Sequence, residues 1–113
     1  IKLLRDALRR VEFVAQAPNV KPSFIHFARG MFYYFLKEHG EALINLEQAF
    51  EHPGFRQKFA YNLFPPMAEE LIRSGRHVEA ERYAQTMSQE KNGDTFFPDI
   101  VRFLISGGSL LSG

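Results

Sequence analysis

The chain contains no cysteine. A disulfide framework, a thiolate zinc site and a cysteine nucleophile are therefore excluded. Tryptophan is absent too. Charge of one sign is lacking: 14 Lys and Arg against 13 Asp and Glu leave a formal net charge of +1. That balance offers nothing for nucleic acid or an anionic membrane surface to recognise. No apolar run approaches the roughly 20 residues that span a bilayer, so no direct membrane insertion is expected. No stretch alternates with period two for long enough to argue a strand. The 113 residues, 45% hydrophobic and 24% charged, make one domain of ordinary globular composition. What is abundant is aromatic, with 12 Phe and 4 Tyr.

The periodicity is helical throughout. Leu3, Leu4, Ala7, Leu8, Val11, Val14 and Ala15 recur at helical spacing, with Arg5, Asp6, Arg9, Arg10 and Glu12 on the other side. That helix stops near Pro18-Asn19. Pro22-Ser23 opens a second, with Ser23 as a cap, which runs to Lys37 or Glu38 before Gly40. A third covers Glu41 to Glu51 and closes at Pro53-Gly54. The fourth begins at Phe55, is expected to kink or break at Pro65-Pro66, and ends at Ser74-Gly75. The fifth carries Val78, Ala80, Tyr83, Ala84 and Met87. The sixth starts around Pro98 and ends at Gly107, and the Gly/Ser tail that follows reads as flexible.

Two-helix units repeat along this order. Ala42 and Ala80 lie 38 apart, as do Gly30 and Ala68, and Tyr33 and Leu71. Ala7, Val11 and Val14 stand 35 before Ala42, Leu46 and Ala49. Such a period signals stacked helical hairpins. Ser74-Gly75-Arg76-His77-Val78-Glu79-Ala80-Glu81-Arg82-Tyr83-Ala84, with Glu41-Ala42-Leu43…Leu46…Ala49, resembles the tetratricopeptide repeat (TPR) family. The departures are the missing early Trp, Lys37 at the usual turn glycine, and a lengthened second repeat holding Pro65-Pro66. The resemblance implies an all-α, right-handed solenoid of antiparallel helical hairpins with about six helices. Its domain is 1–107, made of a second helix at 2–17, repeats at 22–53 and 55–91, and a trailing first helix at 96–106, before the tail 108–113.

Enzyme chemistry is not expected. None of His26, His39, His52 and His77 lies three or four residues from another, so no helix face presents a histidine pair to a metal. His39, His52 and His77 read as helix-end residues making a favourable dipole or turn contact, and His26 as a satisfied, half-buried histidine. Glu69-Glu70 and Glu79/Glu81 read as solvated ion pairs with Arg73 and Arg82. No phosphate loop or nucleophile elbow is present. No cofactor or metal is expected, and the scattered arginines read as solvated.

Ser23 to Leu36 is apolar nearly all round. If Gly30 takes the family's small-residue position, the resemblance points Phe24, Phe27, Met31 and Tyr34 toward a concave surface. The equivalents on the next unit are Asn62, Pro65, Glu69 and Ile72, with Arg73 beside them, and Phe97, Val101 and Leu104 are expected to extend the line. The function expected is a non-catalytic protein–protein interaction module that grips a peptide or partner helix in this aromatic-lined groove. The alternative is a structural or accessory helical-repeat domain of a larger enzyme, one bound to a membrane included, or of a longer array. The family's carboxylate clamp does not carry over, because Phe27 and Met31 occupy its positions. Open helical faces at both ends imply self-association. Ile1 in place of Met reads as a piece of something longer. The compartment expected is the cytoplasm, against the bacterial periplasm or the soluble part of a membrane protein.

Overall fold

The computed structural model describes residues 2–111; Ile1 and residues 112–113 of the expected tail lie outside them. Seven α-helices are found among the described residues and no strand: α1 (Lys2–Val14), α2 (Pro22–Phe35), α3 (His39–Phe50), α4 (Pro53–Lys58), α5 (Ala60–Arg73), α6 (His77–Glu90) and α7 (Phe96–Ile105). None of them is long and apolar enough to cross a membrane. The chain divides into two units, Ile1–Arg56 and Gln57–Gly113.

In the first unit α2 packs on both α1 and α3. Helix α2 opens on Pro22 at its first position, after an extended Lys21 at φ −72 and ψ 135. Proline suits that position because its missing N–H is unpaired there anyway. Ser23 is not the cap; it is buried inside the first turn. Gly30 sets the approach of α3: a Cβ there would lie 2.7 Å from Leu46 Cγ and Cδ2 and 3.1 Å from the Leu46 backbone nitrogen. Ala42, Leu46 and Ala49 of α3 are fully buried. Helix α1 buries no residue. It is tied to its unit at the edges, where Arg5 reaches Glu38 at 2.5 Å and Arg29 of α2 grips both oxygens of Glu12 at 2.5 and 2.7 Å.

In the second unit α7 packs on both α5 and α6. Leu63, Phe64, Met67, Ala68 and Leu71 of α5, Ala80, Ala84 and Met87 of α6, and Phe97, Val101 and Leu104 of α7 are all buried. Phe64 and Phe97 meet edge to face at 5.5 Å.

The expected break at Pro65-Pro66 lies elsewhere. Helix α5 runs through both prolines, and the interruption is at Phe59, with φ −114 and ψ 30. The prolines cost the helix the bonds to the Tyr61 and Asn62 carbonyls. Tyr61 and Asn62 are exposed, so that stretch of backbone stays within reach of water. The stretch expected as one helix is thus α4 followed by α5, which makes seven helices rather than six.

A shift of 38 residues lays α2 on α5 end to end and brings the start of α3 onto the start of α6. The turns correspond as well. The Lys37 N–H bonds the Tyr34 carbonyl and the Glu38 N–H bonds Tyr33, while Gly75 bonds Ile72 and Arg76 bonds Leu71. Both are Schellman turns, which need a residue with positive φ. Gly75 supplies it at φ 82; Lys37 is held at φ 61. A lysine side chain strains that conformation, whereas glycine adopts it freely. Lys37→Gly is therefore expected to stabilise the chain by about 0.5–1 kcal/mol, read as a raised midpoint in urea. The same correspondence places His39 and His77 at the first positions of α3 and α6. They open helices rather than close them, so of the two expected contacts the dipole one does not apply to their own helices.

Candidate functional site

Phe24, Phe27 and Met31 share one side of α2, as spacings of three, four and seven require. Phe24 is 46% exposed, and Phe27 and Met31 are half-buried. The buried Phe55 of α4 supports the first two: its ring centroid lies 5.3 Å from each, edge-on to Phe24 and tilted against Phe27. Phe35 is exposed further along the helix.

Tyr34 does not join that surface. It is only 3% exposed. It follows Met31 by three residues and Gly30 by four, so it lies on the flank of the row nearest Gly30, whose face meets Leu46 of α3, and packing covers it there. The half-covered Phe27 lies on the edge of that face.

On another side of α2, Glu12, His26, Arg29, Tyr33 and Asn45 border a polar cleft. His26 Nδ1 lies 3.5 Å from Asn45 Oδ1, and Asn45 donates to the Glu41 carbonyl at 2.9 Å. Across the cleft Arg29 pairs with Glu12.

Glu69 and Glu70 are not solvated ion pairs. They are 4% and 1% exposed. Arg73, itself exposed, lies 3.9 Å from Glu69 and 3.5 Å from Glu70. Glu69 also accepts the Leu110 N–H at 2.9 Å. The tail expected to be flexible is thus seated against α5 and α7 over its described residues. A contact so distant in sequence leaves no local pattern, and that is why helical spacing alone reads Glu69 as exposed. Among the described residues no group of three or more His, Asp or Glu could hold a metal.

Three carboxylates are held below their ordinary range by hydrogen-bonded partners. Arg29 lowers Glu12, Arg76 lowers Glu79, and the Tyr61 hydroxyl followed by the Phe96 N–H lowers Asp94. The Tyr61–Asp94 bond is 2.5 Å and raises the Tyr61 hydroxyl in turn. A depressed carboxylate stabilises the fold above its unfolded value, near pH 4, and that share is lost as pH falls through the folded value. The thermal midpoint is expected to drop as pH goes from about 5 to about 3. Asp94→Asn should flatten that fall, and calorimetry across the range checks it.

No family model, curated protein or solved structure matches the chain. Functional inference rests on its own residues.

Proposed function

We propose that the chain is a non-catalytic protein-interaction module of TPR type, which holds a peptide or partner helix against the aromatic side of α2. The observation that carries this reading is the row Phe24, Phe27 and Met31, left open to solvent in whole or part and backed by a buried Phe55. Such a row offers adaptable apolar contact on a rigid helix. The TPR-type stacking is supported by the 38-residue correspondence of the two hairpins. Glu69 and Tyr34 are set aside from the contact surface because both are buried.

Peptides selected from a displayed random library against the intact chain test this. They are expected to carry apolar residues at helical spacing. Phe27→Ala with Met31→Ala should weaken them about 10- to 100-fold, the share of burial that two partly covered side chains can supply. The helical circular dichroism should be unchanged, and raising the salt should matter little. A double variant that unfolds would make these side chains core and sink the reading.

A second reading is favoured by α1. Leu3 is 83% exposed and Val14 is exposed on the same side, although α1 is strongly amphipathic. In a structural or accessory domain of a larger protein that face would receive a further helix. The cytoplasmic assignment stays part of the proposal and draws on no structural feature.

A further inference from the structure

The sulfur of this chain lies in three methionines, Met31, Met67 and Met87, and in no cysteine. With thiols absent, a thioether is the group that a mild oxidant such as hydrogen peroxide converts. The fold separates the three. Met67 of α5 is 0% exposed and Met87 of α6 is 1% exposed, each inside the core of the second unit. Met31 of α2 is only half-buried. An oxidant reaches Met67 and Met87 only when the second unit opens, whereas Met31 is within reach in the folded chain.

Met31 also stands where a change of polarity matters. Phe24, Phe27, Met31 and Phe35 follow one another at spacings of three, four and four, so Met31 sits in the row between Phe27 and Phe35. Phe24 and Phe35 are 46% and 45% exposed. The residues one turn away from Met31 on α2 are Phe27, Ala28, Tyr34 and Phe35. A sulfoxide there sets a strong dipole among largely apolar side chains. In the free chain water solvates the new oxygen. Under an apolar partner that water is stripped away, and burial of the oxygen without a hydrogen bond is costly.

We propose that Met31 is an oxidation site that controls the aromatic side of α2: its sulfoxide releases an apolar partner, and its reduction restores the surface. In the forward step the thioether sulfur attacks one oxygen of hydrogen peroxide. The S–O bond forms as the O–O bond breaks, and the departing hydroxide takes the proton of the transferred hydroxyl to become water. Sulfur loses two electrons and the peroxide gains them. A methionine sulfoxide reductase reverses the step, removing the oxygen as water while a dithiol is oxidised to a disulfide. The loss of binding rests on the reading of the row as a docking surface; the selectivity for Met31 does not.

The test treats the intact, folded chain with hydrogen peroxide and maps it with trypsin, which places Met31, Met67 and Met87 in separate peptides, 30–37, 59–73 and 83–91. Met31 is expected to gain one oxygen about tenfold faster or more than either buried methionine. The binding probe is a peptide selected from the displayed library on the untreated chain. Its affinity should fall about tenfold or more once Met31 is converted, with the helical circular dichroism unchanged. Both methionine sulfoxide reductases with dithiothreitol should restore it. Met31→Leu, from whatever affinity it starts, should not respond to peroxide. The proposal is overturned if Met67 or Met87 reacts as fast as Met31, if the fully converted chain binds the peptide unchanged, or if Met31→Leu loses affinity under peroxide as the parent does. Loss of the helical signal on conversion overturns it too, since Met31 would then belong to the core. A library that yields no binder sinks the reading of the row and the control of binding with it, while the mapping still decides whether Met31 is the site.

Discussion

Phe64→Ala is expected to cost about 3–5 kcal/mol, the range for emptying an aromatic site in a packed core. The Phe64 ring is wholly buried and stands edge-on to Phe97, at 5.5 Å and 85°. Phe97 is also wholly buried and stacks on Tyr61 at 5.1 Å. Truncating Phe64 removes contact area and the edge-to-face geometry together, and the two prolines that directly follow it, with their fixed φ, limit how far α5 can relax into the gap. Domains of this size carry only about 5–15 kcal/mol of stability in total. Urea unfolding should show a midpoint moved far down. The exposed Val78 is the control: its alanine variant should change stability by less than about 0.5 kcal/mol.

The second large effect is a coupling. Gly30→Ala would bring a methyl group 2.7 Å from Leu46 Cγ and 3.1 Å from the Leu46 nitrogen. The side chain could yield, but the backbone atom yields only if α2 and α3 move apart. Overpacking of this kind costs about 1–3 kcal/mol, against a gain in helix propensity of about 1 kcal/mol for alanine over glycine. A net loss of about 1–2 kcal/mol is expected. Leu46→Ala alone should cost about 2–5 kcal/mol by cavity formation. Combined, the losses should fall short of their sum by about 1 kcal/mol or more, since the new methyl group occupies part of the space that Leu46 vacates. Strict additivity in a double-mutant cycle would show that Gly30 does not set the spacing of the helix pair.

These expectations locate where local pattern carries information and where it stops. Gly30 with Ala68 and Ala42 with Ala80 stand out in the sequence as small residues 38 apart, and all four are buried. Gly75 reads as a turn and has the positive φ a turn needs. Lys37 reads as a departure from that pattern, yet its backbone adopts the same turn, because the hydrogen bonds of the hairpin impose the conformation on whichever residue is there. The prolines mislead for a related reason. Their local cost is real, but the burial of Leu63, Phe64, Pro66 and Met67 on either side keeps the helix going through them.

By itself, the sequence determined that the chain is all helical, where its turns fall except the one at Phe59, and that two-helix units recur at a spacing of 38. All of these depend on periods and on glycine positions within a few residues of one another. Tertiary structure alone decided which aromatic residues of α2 are covered, so that Tyr34 is packed away while Phe24 stays open. It likewise turned Glu69 from a surface charge into a buried acceptor. That change depends on an amide 41 residues further along the chain. A helix face records only that a side chain can be buried. What buries it, and which buried charge finds a hydrogen-bond donor, is settled by segments that meet only when the chain is folded.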